Sequence, residues 1–176
     1  EPSLGPGDVL DVRARAGFPI DVAVIRAGRE DGRGRSVPLA THTGRRVEPA
    51  TSGDPSQWSS VLRVPVSDWP GGLYLVVVTG NGQRRYTPFV IRNAANRAGD
   101  GRIVVQVPLT TYHAYNAWGG ASLYRYNSSQ GAAGTLAIRR PFDVFDGAGF
   151  MFYGDWQLAR WLDRERDDVS YITSFD

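Results

Sequence analysis

A chain of 176 residues with 41% hydrophobic and 22% charged side chains can bury one large core or two small ones, as ordinary globular proteins do. The net charge is only +2, and the 20 basic residues, all arginine, are scattered among 18 acidic ones, so no basic stripe marks a nucleic-acid partner. Absence of cysteine excludes disulfides, thiolate catalysis and cysteine zinc sites, and no apolar run approaches the roughly 20 residues that cross a bilayer.

The first part of the chain reads as strands. Leu10, Val12, Ala14 and Ala16 alternate with Asp11, Arg13 and Arg15, the period-2 pattern of a half-buried strand. Ile20, Val22 and Val24 repeat it, as do Leu62, Val64 and Val66. Turn residues punctuate these runs at Gly5-Pro6-Gly7-Asp8, Gly17-Phe18-Pro19 and Asp68-Trp69-Pro70-Gly71-Gly72. Gly80-Asn81-Gly82 predicts a hairpin joining 73–79 to 86–92. In the first of these two strands Leu73, Leu75 and Val77 alternate with Tyr74, Val76 and Val78, so both faces are apolar. A sandwich strand ordinarily keeps one wet face, so the second face is expected to be covered by the next domain. Tyr74 is placed on that outer face.

Residues 95–102 read as a polar linker. Ile103 to Val107 then predicts a short buried strand, and a helix follows from Asp155, which is expected to cap it. Leu158, Trp161 and Leu162 form its apolar stripe, and Val169 to Ile172 reads as a second strand. This is the opening of a parallel α/β sheet. The predicted fold is mainly β: an immunoglobulin-like β-sandwich over 1–94, the linker, and the start of an incomplete α/β domain over 103–176. Two strands and one helix cannot cover both faces of such a sheet. Completion is expected from the remainder of the domain or from a second chain, and a homo-oligomer is compatible with that.

Between the strand at Ile103 and the helix at Asp155 runs Thr110-Thr111-Tyr112-His113-Ala114-Tyr115-Asn116-Ala117-Trp118-Gly119-Gly120-Ala121-Ser122-Leu123-Tyr124. It leaves the carboxyl end of a strand, where open α/β sheets bind ligands. Generic catalytic patterns do poorly on it. His42 and His113 do not make a two-histidine metal motif at helical spacing, and Ser122 lacks the glycine two residues on that a nucleophile elbow needs. An aromatic patch around Trp118 and Tyr124 also suits a non-catalytic module that binds a partner or a sugar.

The run from Thr111 to Tyr124 resembles the signature of the N,N-dimethylformamidase large (beta) subunit family. Pro6-Gly7-Asp8 with Ile25-Arg26-Ala27-Gly28, Trp69-Pro70-Gly71-Gly72-Leu73-Tyr74, Arg140-Pro141-Phe142 and Arg160-Trp161-Leu162 are similar to further family segments in the same order. The resemblance implies hydrolysis of a small amide at a mononuclear Fe(III) bound by two tyrosines and a glutamate. Such a metal polarises the amide carbonyl and lowers the pKa of bound water. By position the tyrosines fall on Tyr115 and Tyr74, with Tyr112, Tyr124 and Tyr153 as alternatives. His113 stands where the family often has Gln, as a group behind the ligands or a hydrogen-bonded structural histidine, and Asn116 is placed either to orient a ligand or to hold the local turn. The glutamate motif His-Asp-Glu-Tyr-Trp is absent from these residues. The chain therefore reads as an amino-terminal piece, inactive alone. The all-arginine usage suggests a GC-rich bacterial genome, and the start at Glu1 a processed product, soluble in the cytoplasm or secreted after processing.

Overall fold

The computed structural model of the protein describes residues 2–47, 53–93, 103–166 and 168–176. The expected linker at 95–102 lies outside the described residues. In chain order the strands of the first part are β1 (Ser3–Leu4), β2 (Val9–Ala14), β3 (Ile20–Glu30), β4 (Ser36–Arg45), β5 (Ser59–Pro65), β6 (Gly72–Gly80) and β7 (Gln83–Ile91). After them come β8 (Ile103–Val107), α1 (Leu109–Tyr115), α2 (Asp155–Glu165) and β9 (Val169–Thr173).

Five strands form one sheet in the order β1-β7-β6-β3-β4, and β2 pairs with β5 in a second. All these pairings are antiparallel except β1 with β7. The alternating residues named above explain why the two sheets pack. Leu10, Val12, Val22 and Val24 meet Val61, Tyr74, Val76 and Phe89 in one core between them. The β2–β5 register shifts between Val12 and Arg13, skipping Val61. That bulge lets the adjacent Val61 and Leu62 both reach the core, which strict alternation from Leu62 does not anticipate. Asn81 and Gly82 close the β6–β7 hairpin with both central residues at positive φ (48° and 71°), as the sequence predicts.

The two-faced strand is confirmed, and its second face is covered by the following residues. The faces are assigned the other way round, however. Leu73, Leu75 and Val77 meet the second part, packing with Val107, Leu109, Tyr112, Met151, Trp156 and Ala159. Tyr74 is 0% exposed and lies in the sandwich core. Its hydroxyl donates to the Pro70 carbonyl at 2.6 Å, and its ring stacks on Trp69. An aromatic ring with a nearby acceptor for its hydroxyl is a well-satisfied core residue.

In the second part β8 and β9 pair in parallel, as expected. Only one face of β8 is covered, because Val104 and Gln106 are exposed. Helix α2 buries Trp156, Ala159 and Leu162, whereas Leu158 and Trp161 stand 47% and 52% exposed. The predicted stripe was thus rotated. The helix is turned by its ion pairs to β3, since Asp163 binds Arg26 and Arg160 binds Glu30. Arg26 also donates to the Gly71 carbonyl at 2.9 Å. Gly28 sits at the closest approach, with φ of 82°, and a Cβ there would lie 2.5 Å from the Asp163 Cβ. The segment Ile25-Arg26-Ala27-Gly28 is therefore a docking strip for α2. Gly28→Ala combines strained backbone with a steric clash and is expected to cost about 2 kcal/mol in urea denaturation. A midpoint equal to that of the native chain would remove this account of the glycine.

Candidate functional site

Pro108 ends β8 and turns the chain into α1, a helix the sequence reading did not foresee. Leu109 and Tyr112 point from it into the core shared with β6, and His113 is also buried. Tyr115 is its last residue and is partly exposed. The ordinary pattern for a helix there was hidden by Thr110 and Thr111, whose side chains stay on the wet face.

Beyond α1 the motif folds into a tight loop. Gly119 and Gly120 both adopt positive φ (81° and 98°), which L residues with side chains resist. The segment 140–143 braces this loop. Arg140 donates to the carbonyls of Trp118 (2.9 Å), Ala121 (3.1 Å), His113 (3.4 Å) and Asn116 (2.6 Å). Asn116 donates to the Pro141 carbonyl at 2.8 Å and accepts from the backbone N–H of Trp118 and Asp143. Asp143 in turn accepts from the Ala117 N–H. Buried Ser122 binds Asn127, and Asn127 donates to the Tyr115 carbonyl at 2.7 Å. Asn116 is therefore a loop brace, committed on both ends of its amide.

His113 packs against Phe142 (ring centroids 4.7 Å) and Phe175 (6.2 Å). Its Nδ1 is buried without a hydrogen-bond partner. Burial first, and then the Arg140 charge, push its pKa down to about 4. A lowered histidine pKa means the unfolded state takes the proton first. Stability is therefore expected to fall as pH drops from about 6.5 to about 4, and to level off below. Proton NMR of the imidazole C2–H checks this, and a midpoint at 6.5 would contradict it.

Around Tyr115 lies a group of aromatic rings. Tyr124 stacks on it with centroids 4.5 Å apart, Tyr126 lies at 6.5 Å and Phe150 meets it edge-on at 5.5 Å. Tyr126 is 76% exposed, so this group opens to solvent. A hydrogen bond shared with Tyr115 is the main cause that raises the Tyr124 pKa. Tyr112 is differently committed: its hydroxyl hydrogen-bonds Asp155, and burial and that carboxylate raise its pKa strongly. Asp155 is thus tied to Tyr112 and makes no capping hydrogen bond; Gly154 takes the cap position of α2. Tyr153 stacks on Phe150. Trp118 meets Trp58 of the sandwich edge-on at 6.5 Å, which places the motif loop at the junction of the two parts.

Of the four residues singled out by the sequence, the structure gathers His113, Tyr115 and Asn116 on one short segment and leaves Tyr74 in the sandwich core. Among the described residues, no group of three or more His, Cys, Asp or Glu side chains could hold a metal ion. A hard cation would need oxygens that can lose protons. Tyr74 has its hydroxyl spent on Pro70 and burial pushing its pKa well up, whereas the rings of Tyr115 and Tyr124 stand side by side near the surface. Arg140 was noted in the sequence only as part of a motif. Its role has no signal in a single sequence, because its four acceptors are main-chain carbonyls.

A family model described as N,N-dimethylformamidase beta subunit-like, C-terminal, matches residues 21–176. That region is C-terminal in the family, which corrects the expectation of an amino-terminal piece; Pro6-Gly7-Asp8 falls outside the match. No curated protein matches the chain.

Proposed function

The chain belongs to the N,N-dimethylformamidase beta subunit-like family, and from that premise we propose that it contributes to a hydrolase of small amides with a ferric site built on Tyr115. The observation that supports this reading is the stacked pair of Tyr115 and Tyr124, carried on a braced loop after the carboxyl end of β8. Phenolate is a hard anionic oxygen donor, and two phenols side by side offer a hard cation two such oxygens. Tyr124 takes in this proposal the place that the sequence resemblance gave to Tyr74.

Bound Fe(III) would supply Lewis acidity toward an amide carbonyl and toward water. The chain's own residues do the rest. Asn116 fixes the turn that follows Tyr115. His113 stays neutral near pH 7, so it adds no positive charge that would repel the cation. Phe150 and Tyr126 furnish apolar surface beside the phenols for the alkyl groups of an amide.

The test uses the purified protein as the gene encodes it. Ferric phenolates absorb visible light, so loading with ferric salt should colour the protein, and the coloured form should release amine from a simple amide. Protein that stays colourless after loading would overturn the hydrolase reading and leave a non-catalytic module with an aromatic face.

A further inference from the structure

Among the described residues, Arg140 is the one side chain that holds four separate points of the motif loop. Its acceptors are the carbonyls of His113, Asn116, Trp118 and Ala121. His113 and Asn116 lie on either side of Tyr115 at the end of α1, where the Asn116 N–H also bonds the His113 carbonyl. Trp118 and Ala121 bracket the two glycines of the turn. A guanidinium carries five N–H donors in a rigid plane, so one group can serve carbonyls that converge from different directions. An ammonium has three donors at a single point and cannot reproduce this fork.

We propose that Arg140 is a positioning residue: by clasping four carbonyls it sets where Tyr115 stands against Tyr124, and so whether the phenol pair can take a cation. This rests on the ferric reading for its consequence, but the clasp itself is independent of any metal. The surrounding network fits the assignment. Asn116 and Asp143 tie the same loop back to the backbone of 141–143 and receive its N–H groups, so Arg140 alone serves these carbonyls from the side chain. Loss of the fork should therefore free the loop while the sheets stay folded.

The experiment compares native protein with Arg140→Lys and Arg140→Gly in two arms. In the metal-free arm, amide hydrogen exchange is followed at Asn116, Gly120 and Leu123, whose N–H groups bond within the loop, and at β3 and β6. The expected result is loop exchange about tenfold faster or more, with sheet protection unchanged. In the second arm, ferric ion is titrated and the visible band recorded. Affinity should fall about 10–100-fold in both variants, the range typical for groups that orient metal ligands. Millimolar guanidinium ion should restore the band in Arg140→Gly and not in Arg140→Lys. Native loop protection in Arg140→Lys would overturn the proposal. So would loss of protection in loop and sheets together, which is a merely structural role. If the native protein takes up no ferric ion, the proposed function fails, and the exchange arm still decides the clasp.

Discussion

Asn116→Ala is expected to destabilise the protein by about 3 kcal/mol, the sum of three hydrogen bonds lost at one buried side chain. The side chain is 1% exposed. Its removal strands the Pro141 carbonyl and the N–H groups of Trp118 and Asp143, all three of which it serves. Asn116→Asp should also be costly, because it keeps the acceptor, removes the donor and aims a negative charge at the Pro141 carbonyl. Urea denaturation of both variants measures the effect. A loss under about 1 kcal/mol for Asn116→Ala would mean that the loop relaxes around the gap and that Asn116 is free for another task.

Tyr115→Phe should abolish the visible ferric band while changing stability by less than about 1 kcal/mol, since the ring and its stacking remain. Tyr74→Phe should do the reverse. It removes the buried bond to Pro70, costs about 1 kcal/mol, and leaves the band intact. The two variants together separate the pair implied by sequence position from the pair that the fold brings together. A colourless Tyr74→Phe protein, still folded by circular dichroism, would return the assignment to Tyr74 and require β6 to present its other face.

The strands were legible because half-buried strands write their burial in alternation, as β2 and β3 do. The second cover over β6 was legible for the same reason: two apolar faces cannot both meet water. Which face met which layer was not, because period 2 is symmetric and nothing in Leu73-Tyr74-Leu75 says which side the sandwich lies on. The helical stripe of α2 failed for a different reason. Its orientation is set by the ion pairs of Asp163 and Arg160 with β3, and long-range pairs leave no local pattern. In the site, Tyr115 could be named from its motif. The stack with Tyr124 follows from two glycines that turn the chain back, and the Arg140 clasp joins side chain to main chain across some 20 residues, where sequence offers no complement to read.

The core that β6 shares with α2 also has a consequence during synthesis. β6 is complete at residue 80, whereas α2 does not begin until residue 155. At the usual pace of translation the nascent sheet waits on the order of ten seconds for its cover. Throughout that interval Leu73, Leu75 and Val90 form a bare apolar face on an already paired sheet. Such a surface attracts chaperones and neighbouring chains alike. Changes that delay the seating of α2, at Gly28 or at the Arg26–Asp163 pair, lengthen the wait. Their first symptom is lower soluble yield, ahead of any change in the finished molecule.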